Sequence, residues 1–328
     1  MLRESGNYVS GQQLCDTFGV SRTAVWKVIN QLKEEGYQVD AVRNRGYRIV
    51  DSPDVCTEEE LNSLMQNRTT WAGQYIHYYQ EIDSTNIRAK QRGEQGAPQG
   101  TLVVADMQTA GRGRRGRGWV SPPGSSIYMS LLLKPTFAPD KAPMLTLVMA
   151  YSVAQALNHC LKNDFPQNAP EVRIKWPNDI VLNGKKIVGI LTEMSTEIDY
   201  INHVVIGVGI NVNMDSFPEE IAASATSLRI ETGKMMKRAP FIVEIMRQFE
   251  DNYEQFVRCE DLTFLQKEYD CLLVNCGREV VIHEPQHTYH AVALGINEKG
   301  ELIVRCDDGT VETVYAGEVS VRGIYGYV

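Results

Sequence analysis

Nine consecutive residues, GRGRRGRGW at Gly111–Trp119, interleave four arginines (Arg112, Arg114, Arg115 and Arg117) with four glycines. Guanidinium groups bind carboxylate and phosphate oxygens through paired hydrogen bonds. Glycines let backbone amides approach a ligand and let a loop change shape. A short loop of this kind suits the clamping of a phosphorylated small molecule, and Trp119 can stack on a base or cover an apolar group. Two further polar islands stand beside apolar runs: DSTN, Asp83–Asn86, after YYQEI, and KWPND, Lys175–Asp179, after VRI. The second puts a lysine at a strand end beside a rigid Trp-Pro turn. Each feature also has a plain structural reading: a helix N-cap for DSTN, a solvated lysine for KWPND, an RNA-binding Arg/Gly segment for the loop. Arg/Gly tails are long and repetitive, whereas this segment is nine residues between two apolar strands.

Gly111, Gly113 and Gly116 satisfy G-x-G-x-x-G, the dinucleotide fingerprint, but the flanks do not support it. That fingerprint needs a strand running directly into the glycines, a helix opening at them and an acid about twenty residues on. Here Met107–Ala110 separate the strand TLVVAD from Gly111, Pro122 and Pro123 follow, and the distal positions read LLLKPT. A phosphate-binding Walker loop is excluded as well, because no G-K-[ST] follows.

The elements that must hold these islands are legible around them. TLVVAD (Thr101–Asp106), SIYMSLLLK (Ser126–Lys134) and HVVIGVGINVN (His203–Asn213) read as buried strands. Asn183-Gly184 between two apolar β-rich runs predicts a type I′ hairpin. Ala142–Lys162 is too long for a strand and reads as a buried helix. Ile242, Ile245, Phe249, Tyr253 and Phe256 share one face of another. Hairpin-linked strands with helices to the side indicate an α+β fold. From Cys271 onward the chain alternates apolar and polar residues between the turns NEKG and DDGT, which predicts a small five-stranded barrel.

At 328 residues the chain has room for two or three domains. The expected division is 1–52, 53–270 and 271–328, with DSPD (Asp51–Asp54) as the first linker. Net charge is −8, so nucleic-acid binding needs a local basic patch. Seven scattered cysteines, with no C-x-x-C and no Cys/His cluster, point away from a zinc site or disulfide frame and towards a reducing compartment. The N-terminus has no signal-peptide pattern and no apolar run of membrane-spanning length is apparent, so a cytoplasmic protein without membrane contact is expected.

The first fifty residues carry a basic patch. Ser10 is placed to cap a helix ending at Phe18, Gly19 to turn the chain, and Ser21 to cap a second helix to about Glu35. Leu14, Phe18, Val20, Val25, Ile29 and Leu32 are the expected core. Arg22, Thr23 and Lys27 open the second helix, and Arg43, Arg45 and Arg48 surround a turn at Asn44–Gly46. This is the plan of a winged helix-turn-helix whose second helix enters the DNA major groove and whose wing meets the backbone. A small helical module that binds protein or merely packs is the alternative. Only MLRESGNYV precedes SGQQL, where such modules usually carry a full helix, and an absent helix would uncover Leu14 and Val25.

In order and spacing, DSTN, QTAGRGRRGRGW, KWPNDI, GKKIVGIL and GVGINVN closely resemble the biotin protein ligase family. The winged helix in front resembles the bifunctional subgroup that also represses biotin genes, and the likeness runs from Ser10 to the last residues. The resemblance implies a central mixed-sheet ligase domain like that of class II aminoacyl-tRNA synthetases and an SH3-like C-terminal barrel. It implies ATP and biotin as substrates, Mg²⁺ with the ATP, biotinyl-AMP as intermediate and a lysine of a biotin carboxyl carrier domain as acceptor. Ser84, Thr85, Asn86 and Gln108 are implied to bind biotin's ureido end or line its pocket, and Arg112, Gly113 and Arg114 to fold over it. Lys175, Arg112 and Arg114 are implied to offset the charge of carboxylate and α-phosphate, and Trp119 and Asn211 to contact the nucleotide. Asp215–Leu228 is implied as a second loop over adenine. No protein-held metal is expected. Operator DNA and a homodimer are the further implied partners, with recognition helices about 34 Å or a multiple apart. Two other readings share these motifs: a ligase with a vestigial winged helix, and a biotinyl-AMP sensor without turnover. Lipoate ligases share the catalytic fold but not the Arg/Gly loop.

Overall fold

A computed structural model describes residues 2–3, 7–197, 200–283, 287–315, 320–323 and 327–328. The chain forms two compact units, Met1–Val55 and Cys56–Val328.

In the first unit, α1 (Gly11–Phe18) is capped by Ser10, whose hydroxyl accepts from the Gln13 amide, and ends at left-handed Gly19. α2 (Arg22–Glu34) is capped in the same way by Ser21. The hairpin β1 (Gln38–Val42) and β2 (Gly46–Asp51) follows, antiparallel, with Asn44 at φ 63° and Gly46 at φ 109°. Val9, Leu14, Cys15, Val25 and Ile29 form the core, with Leu2, Val39 and Tyr47 packed on it. Two expectations fail here. Phe18 and Val20 are 62% and 41% exposed, because α1 ends at Phe18 and Gly19 reverses the chain before that ring reaches α2. Leu14 and Val25 are buried, so the short lead-in does not uncover them. Part of that lead-in, residues 1 and 4–6, lies outside the described residues.

In the second unit, α3 (Glu58–Met65) leads to β3 (Tyr75–Ile82), α4 (Thr85–Glu94), β4 (Thr101–Gln108) and β5 (Ser126–Leu133). Then come α5 (Leu145–Asp164), β6 (Arg173–Lys175), β7 (Asp179–Leu182), β8 (Lys185–Thr196) and β9 (Ile201–Asn211). α6 (Glu219–Ala222), α7 (Leu228–Thr232), α8 (Arg238–Cys259) and α9 (Gln266–Leu272) complete the helices. One sheet, ordered β3-β4-β5-β9-β8-β7-β6, joins the strands; β3–β4 is its parallel pair and the rest are antiparallel. Both faces are covered. Leu102, Val104, Leu131, Leu133, Val204 and Ile206 belong to the main core with α5 and α8, while Val103, Leu132 and Val205 pack with Ala89 of α4. This two-sided burial is why these strands read as continuous apolar runs. Pro139–Asp164 is long and apolar enough to cross a membrane by composition, but 72% of its most apolar window is buried in the fold.

β10 (Glu279–His283), β11 (Thr288–Ile296), β12 (Leu302–Cys306), β13 (Val311–Val314) and β14 (Ser320–Gly323) make the five expected C-terminal strands, antiparallel in the order β13-β12-β11-β10-β14. Their apolar face joins the main core. The Val274 amide donates to the Ile174 carbonyl (2.8 Å), and Trp176 Nε1 donates to the Gly300 carbonyl (2.9 Å). The C-terminal sheet therefore braces the KWPND turn.

A buried ion pair ties the sheet to α8. Arg238 Nη1 lies 2.9 Å from Asp106 Oδ1, with side chains 4% and 12% exposed, and Asp106 also accepts from the Gly124 amide. Replacing Arg238 by Met strands a buried carboxylate. Urea unfolding of the full chain is expected to show a loss of about 3–5 kcal/mol; a change under about 1 kcal/mol would contradict the pairing.

Candidate active site

The site is built on a bare stretch of sheet. Asn183 and Gly184, both at positive φ (49° and 77°), make the type I′ turn that starts β8. In the β8–β9 ladder Gly189 faces Gly209. A methyl on Gly189 would lie 2.6 Å from Trp119 Cζ3, and one on Gly209 would lie 2.6 Å from Trp119 Cε2. The indole thus rests on backbone. A methyl on Gly207 would lie 2.0 Å from Asn86 Oδ1, so that amide also needs the bare strand. Trp119 Nε1 is buried and has no hydrogen-bond partner among the described residues.

The Arg/Gly loop is a small hairpin. The Gly113 amide donates to the Arg117 carbonyl (2.7 Å), and the Trp119 amide to that of Gly111 (2.9 Å). Arg115 (φ 57°) and Gly116 (φ 69°) form its tip. The flexibility expected of all four glycines resolves into specific demands. A methyl on Gly111 would meet the Trp119 carbonyl at 2.6 Å and Ser121 Oγ at 2.8 Å, whereas one on Gly113 would meet its nearest neighbour at 3.5 Å. Arg112, Arg115 and Arg117 are exposed, and Arg114 is half-buried with Nη1 donating to Asn178 Oδ1 (2.8 Å). Burial pulls the Arg114 guanidinium below its ordinary pKa, opposed by Asp179 and reinforced by Arg115 and Arg117.

At the other end, Ser84 occupies the N-cap position of α4 but makes no capping hydrogen bond and is 2% exposed. The plain N-cap reading of DSTN therefore does not hold for its hydroxyl. Gln108 Oε1 accepts from the Thr85 amide (2.9 Å), while Gln108 Nε2 donates to Ser121 Oγ (3.0 Å). Asn86 Oδ1 accepts from Ser130 (2.6 Å), and its Nδ2 donates to the Leu191 carbonyl and to Glu193. Mutual hydrogen bonds thus fix the orientations of these amides and hydroxyls.

Between the two ends stands Lys175, 6% exposed at the end of β6. Asp179, where β7 begins, pairs with Lys186 Nζ at 2.5 Å. The segment after β9 comes back over the far side. The Lys186 amide donates to the Ser224 carbonyl and the Thr226 amide to that of Lys186, while Asn211 Nδ2 donates to the Thr226 carbonyl (3.1 Å). These elements line an open cavity of about 680 Å³. Ser84, Thr85, Asn86, Gln108, Arg112, Gly113, Arg114, Trp119, Lys175 and Asn211 all line it, with Phe217, Glu220 and Ile221 from the second loop. So do Arg115 and Arg117 of the same loop, and Lys186, Asn178, Asp179 and Tyr327, which had no role. Three of those four sit in quoted motifs, KWPND and GKKIVGIL; Tyr327 carried no local signal. No group of three or more His, Cys, Asp or Glu able to hold a metal occurs among the described residues.

In the first unit, Arg22, Thr23 and Lys27 are exposed along one side of α2, and Arg43 and Arg45 are exposed on the hairpin turn. Arg22 also donates to Gln12 (2.9 Å), and the Arg45 guanidinium lies 4.9 Å from the Tyr8 ring centre.

Three family models match: the biotin/lipoate A/B protein ligase family over residues 78–211, a helix-turn-helix domain over 1–48 and the biotin protein ligase C-terminal domain over 276–322. The chain is 38% identical over 324 residues to the bifunctional ligase/repressor BirA of Bacillus subtilis, covering 98% of this chain and 96% of that one. The chain belongs to the biotin protein ligase family. To BirA of Escherichia coli it is 30% identical over 322 residues, with 98% and 95% covered. The biotin protein ligase of Aquifex aeolicus, solved in complex with biotin and ATP, superposes with a TM-score of 0.66 at 30% identity, covering 76% of this chain and 99% of that one.

The glycine geometry predicts a rank order. Gly111→Ala should speed biotinyl-AMP release about tenfold or more, and Gly113→Ala should cost clearly less. Dissociation of radiolabelled biotinyl-AMP from the two variants checks this; equal release rates would contradict the assignment.

Proposed function

We propose that this family member joins biotin to AMP, passes the biotinyl group to a lysine of a carboxyl carrier domain, and represses biotin genes through its N-terminal helix-turn-helix. The observation that carries this reading is the convergence of Arg112, Arg114 and Lys175 with the Ser84–Asn86 ring and Trp119 on one cavity.

In the first step an oxygen of the biotin carboxylate attacks the α-phosphorus of ATP, the bond to the bridging oxygen breaks, and pyrophosphate leaves. Two anions must meet. Preorganised cations offset their repulsion most where water is excluded, and half-buried Arg114 and buried Lys175 are in such a place. Ser84, Thr85, Asn86 and Gln108 hold the ureido end, and Trp119 and Asn211 the nucleotide. Mg²⁺ enters with the triphosphate, as it commonly does in nucleotide sites. In the second step the carrier lysine attacks the acyl carbon of the mixed anhydride, AMP departs and the amine loses a proton. No acyl-enzyme is required. Closure of the Arg/Gly loop and of Asp215–Leu228 shields the anhydride from hydrolysis.

Arg22, Thr23 and Lys27 contact operator DNA, with Arg43 and Arg45 on the phosphates, in a cytoplasmic homodimer that presents two recognition helices. Residues 1–52, 53–270 and 271–328 serve as the DNA-binding, catalytic and C-terminal modules.

Incubation with biotin, Mg-ATP and an apo carrier domain should release pyrophosphate and leave biotin on one carrier lysine; neither product would refute the ligase reading. Lys175→Ala should lower adenylation by about a hundredfold or more while the protein stays folded, and a wild-type rate would remove its role. Arg22→Ala should weaken operator binding about tenfold in a gel-shift titration while ligation proceeds unchanged; unaltered operator affinity would remove Arg22 from the interface.

A further inference from the structure

Lys175 does not stand alone in its wall of the cavity. Its Nζ lies 3.4 Å from the centre of the Tyr327 ring. Lys175 is 6% exposed, so the contact is made away from bulk water, where an aromatic face attracts an ammonium most strongly. The Tyr327 hydroxyl donates to a carboxylate oxygen of Asp179. The other oxygen of Asp179 meets Lys186, and Lys186 Nζ lies 5.4 Å from the Trp119 ring. One line of contacts thus runs from the lysine between the two anions to the indole on the glycine floor.

Tyr327 reaches this place from the far end of the chain. It follows β14, where a methyl on Gly323 would strike the Val328 carbonyl oxygen at 2.1 Å; Val328 Cγ2 itself packs 3.3 Å from where a Gly184 Cβ would stand. Val328 therefore lies against the β7–β8 turn and Tyr327 beside Lys175.

Resting on the proposed role of Lys175 in adenylation, we infer that Tyr327 is the positioning residue for that lysine. A lysine stem has four rotatable carbons, and an ammonium free to sample them is a poor electrostatic catalyst, because preorganisation is what makes a cation effective. The ring gives the ammonium one favoured seat. The hydroxyl bond to Asp179 fixes the ring, and the Lys186 pair fixes Asp179. The C-terminal module thereby completes a catalytic site whose chemistry comes from the central one.

Single-turnover formation of biotinyl-AMP by the full chain, with biotin and Mg-ATP, tests this. Tyr327→Leu is expected to slow the step about tenfold or more, with biotin affinity within about twofold of wild type. Tyr327→Phe keeps the aromatic face and should recover most of the rate. On a Lys175→Ala background, Tyr327→Leu should cost less than a further twofold or so, because it acts through the missing side chain. A wild-type rate for Tyr327→Leu, a Phe variant as slow as Leu, or a full additional loss on the Lys175→Ala background would overturn the inference. A faster Tyr327→Leu with a lower KM for ATP would overturn it too, making the ring a plug. If the wild type makes no biotinyl-AMP, or Lys175→Ala keeps the wild-type rate, the underlying reading of the site fails and takes this inference with it.

Discussion

The β8–β9 ladder has to be bare where the Trp119 and Asn86 side chains lie against it. Gly189 and Gly209 face each other across it, Gly207 is two residues along, and at each of the three an added methyl would collide with a site side chain. A flat backbone floor lets the Trp119 indole lie down and lets Asn86 reach its partners at Ser130, Leu191 and Glu193. The Arg/Gly loop hangs from Trp119, so the height of the arginines over the cavity follows from the same floor. Gly111 extends the requirement to the loop's base, where a side chain would push Trp119 and Ser121 away.

The second constraint is charge. Four loop arginines, Lys175 and Lys186 face one cavity, in a chain whose net charge is −8. Such crowding of cations is unfavourable in the absence of anions, and the protein spreads it out. Asn178 takes Arg114, Asp179 takes Lys186, and Tyr327 bonds Asp179 and offers its ring face to Lys175. In the proposed reaction, carboxylate and phosphate oxygens would meet cations already held in place, as electrostatic catalysis demands.

Local grammar made much of this legible. Ser10, Gly19 and Ser21 mark helix ends through their own backbone and side-chain preferences, and the structure has them as caps and left-handed turn. Asn183-Gly184 announces its turn by tolerating positive φ. The α8 face of Ile242, Ile245, Phe249, Tyr253 and Phe256 is buried as its spacing requires. The arginine loop was readable because its flanks, not its glycines, decided between two folds. What escaped is set by distant parts of the chain. Phe18 sits at helical spacing from Leu14 yet faces solvent, since what matters is where α2 lies. Gly113 looked as necessary as Gly111 until the Trp119 carbonyl and Ser121 were in place. Tyr327 had no signal at all, because its meaning comes from Lys175 and Asp179 across the fold.

The bare floor is open to direct measurement. In Gly209→Val the new side chain occupies the space 2.6–2.8 Å from the Trp119 indole and must displace it. Single-turnover biotinyl-AMP formation by this variant, with its circular dichroism unchanged, should fall about a hundredfold or more. A rate equal to that of the wild type would show that the loop and its arginines do not depend on the glycine floor.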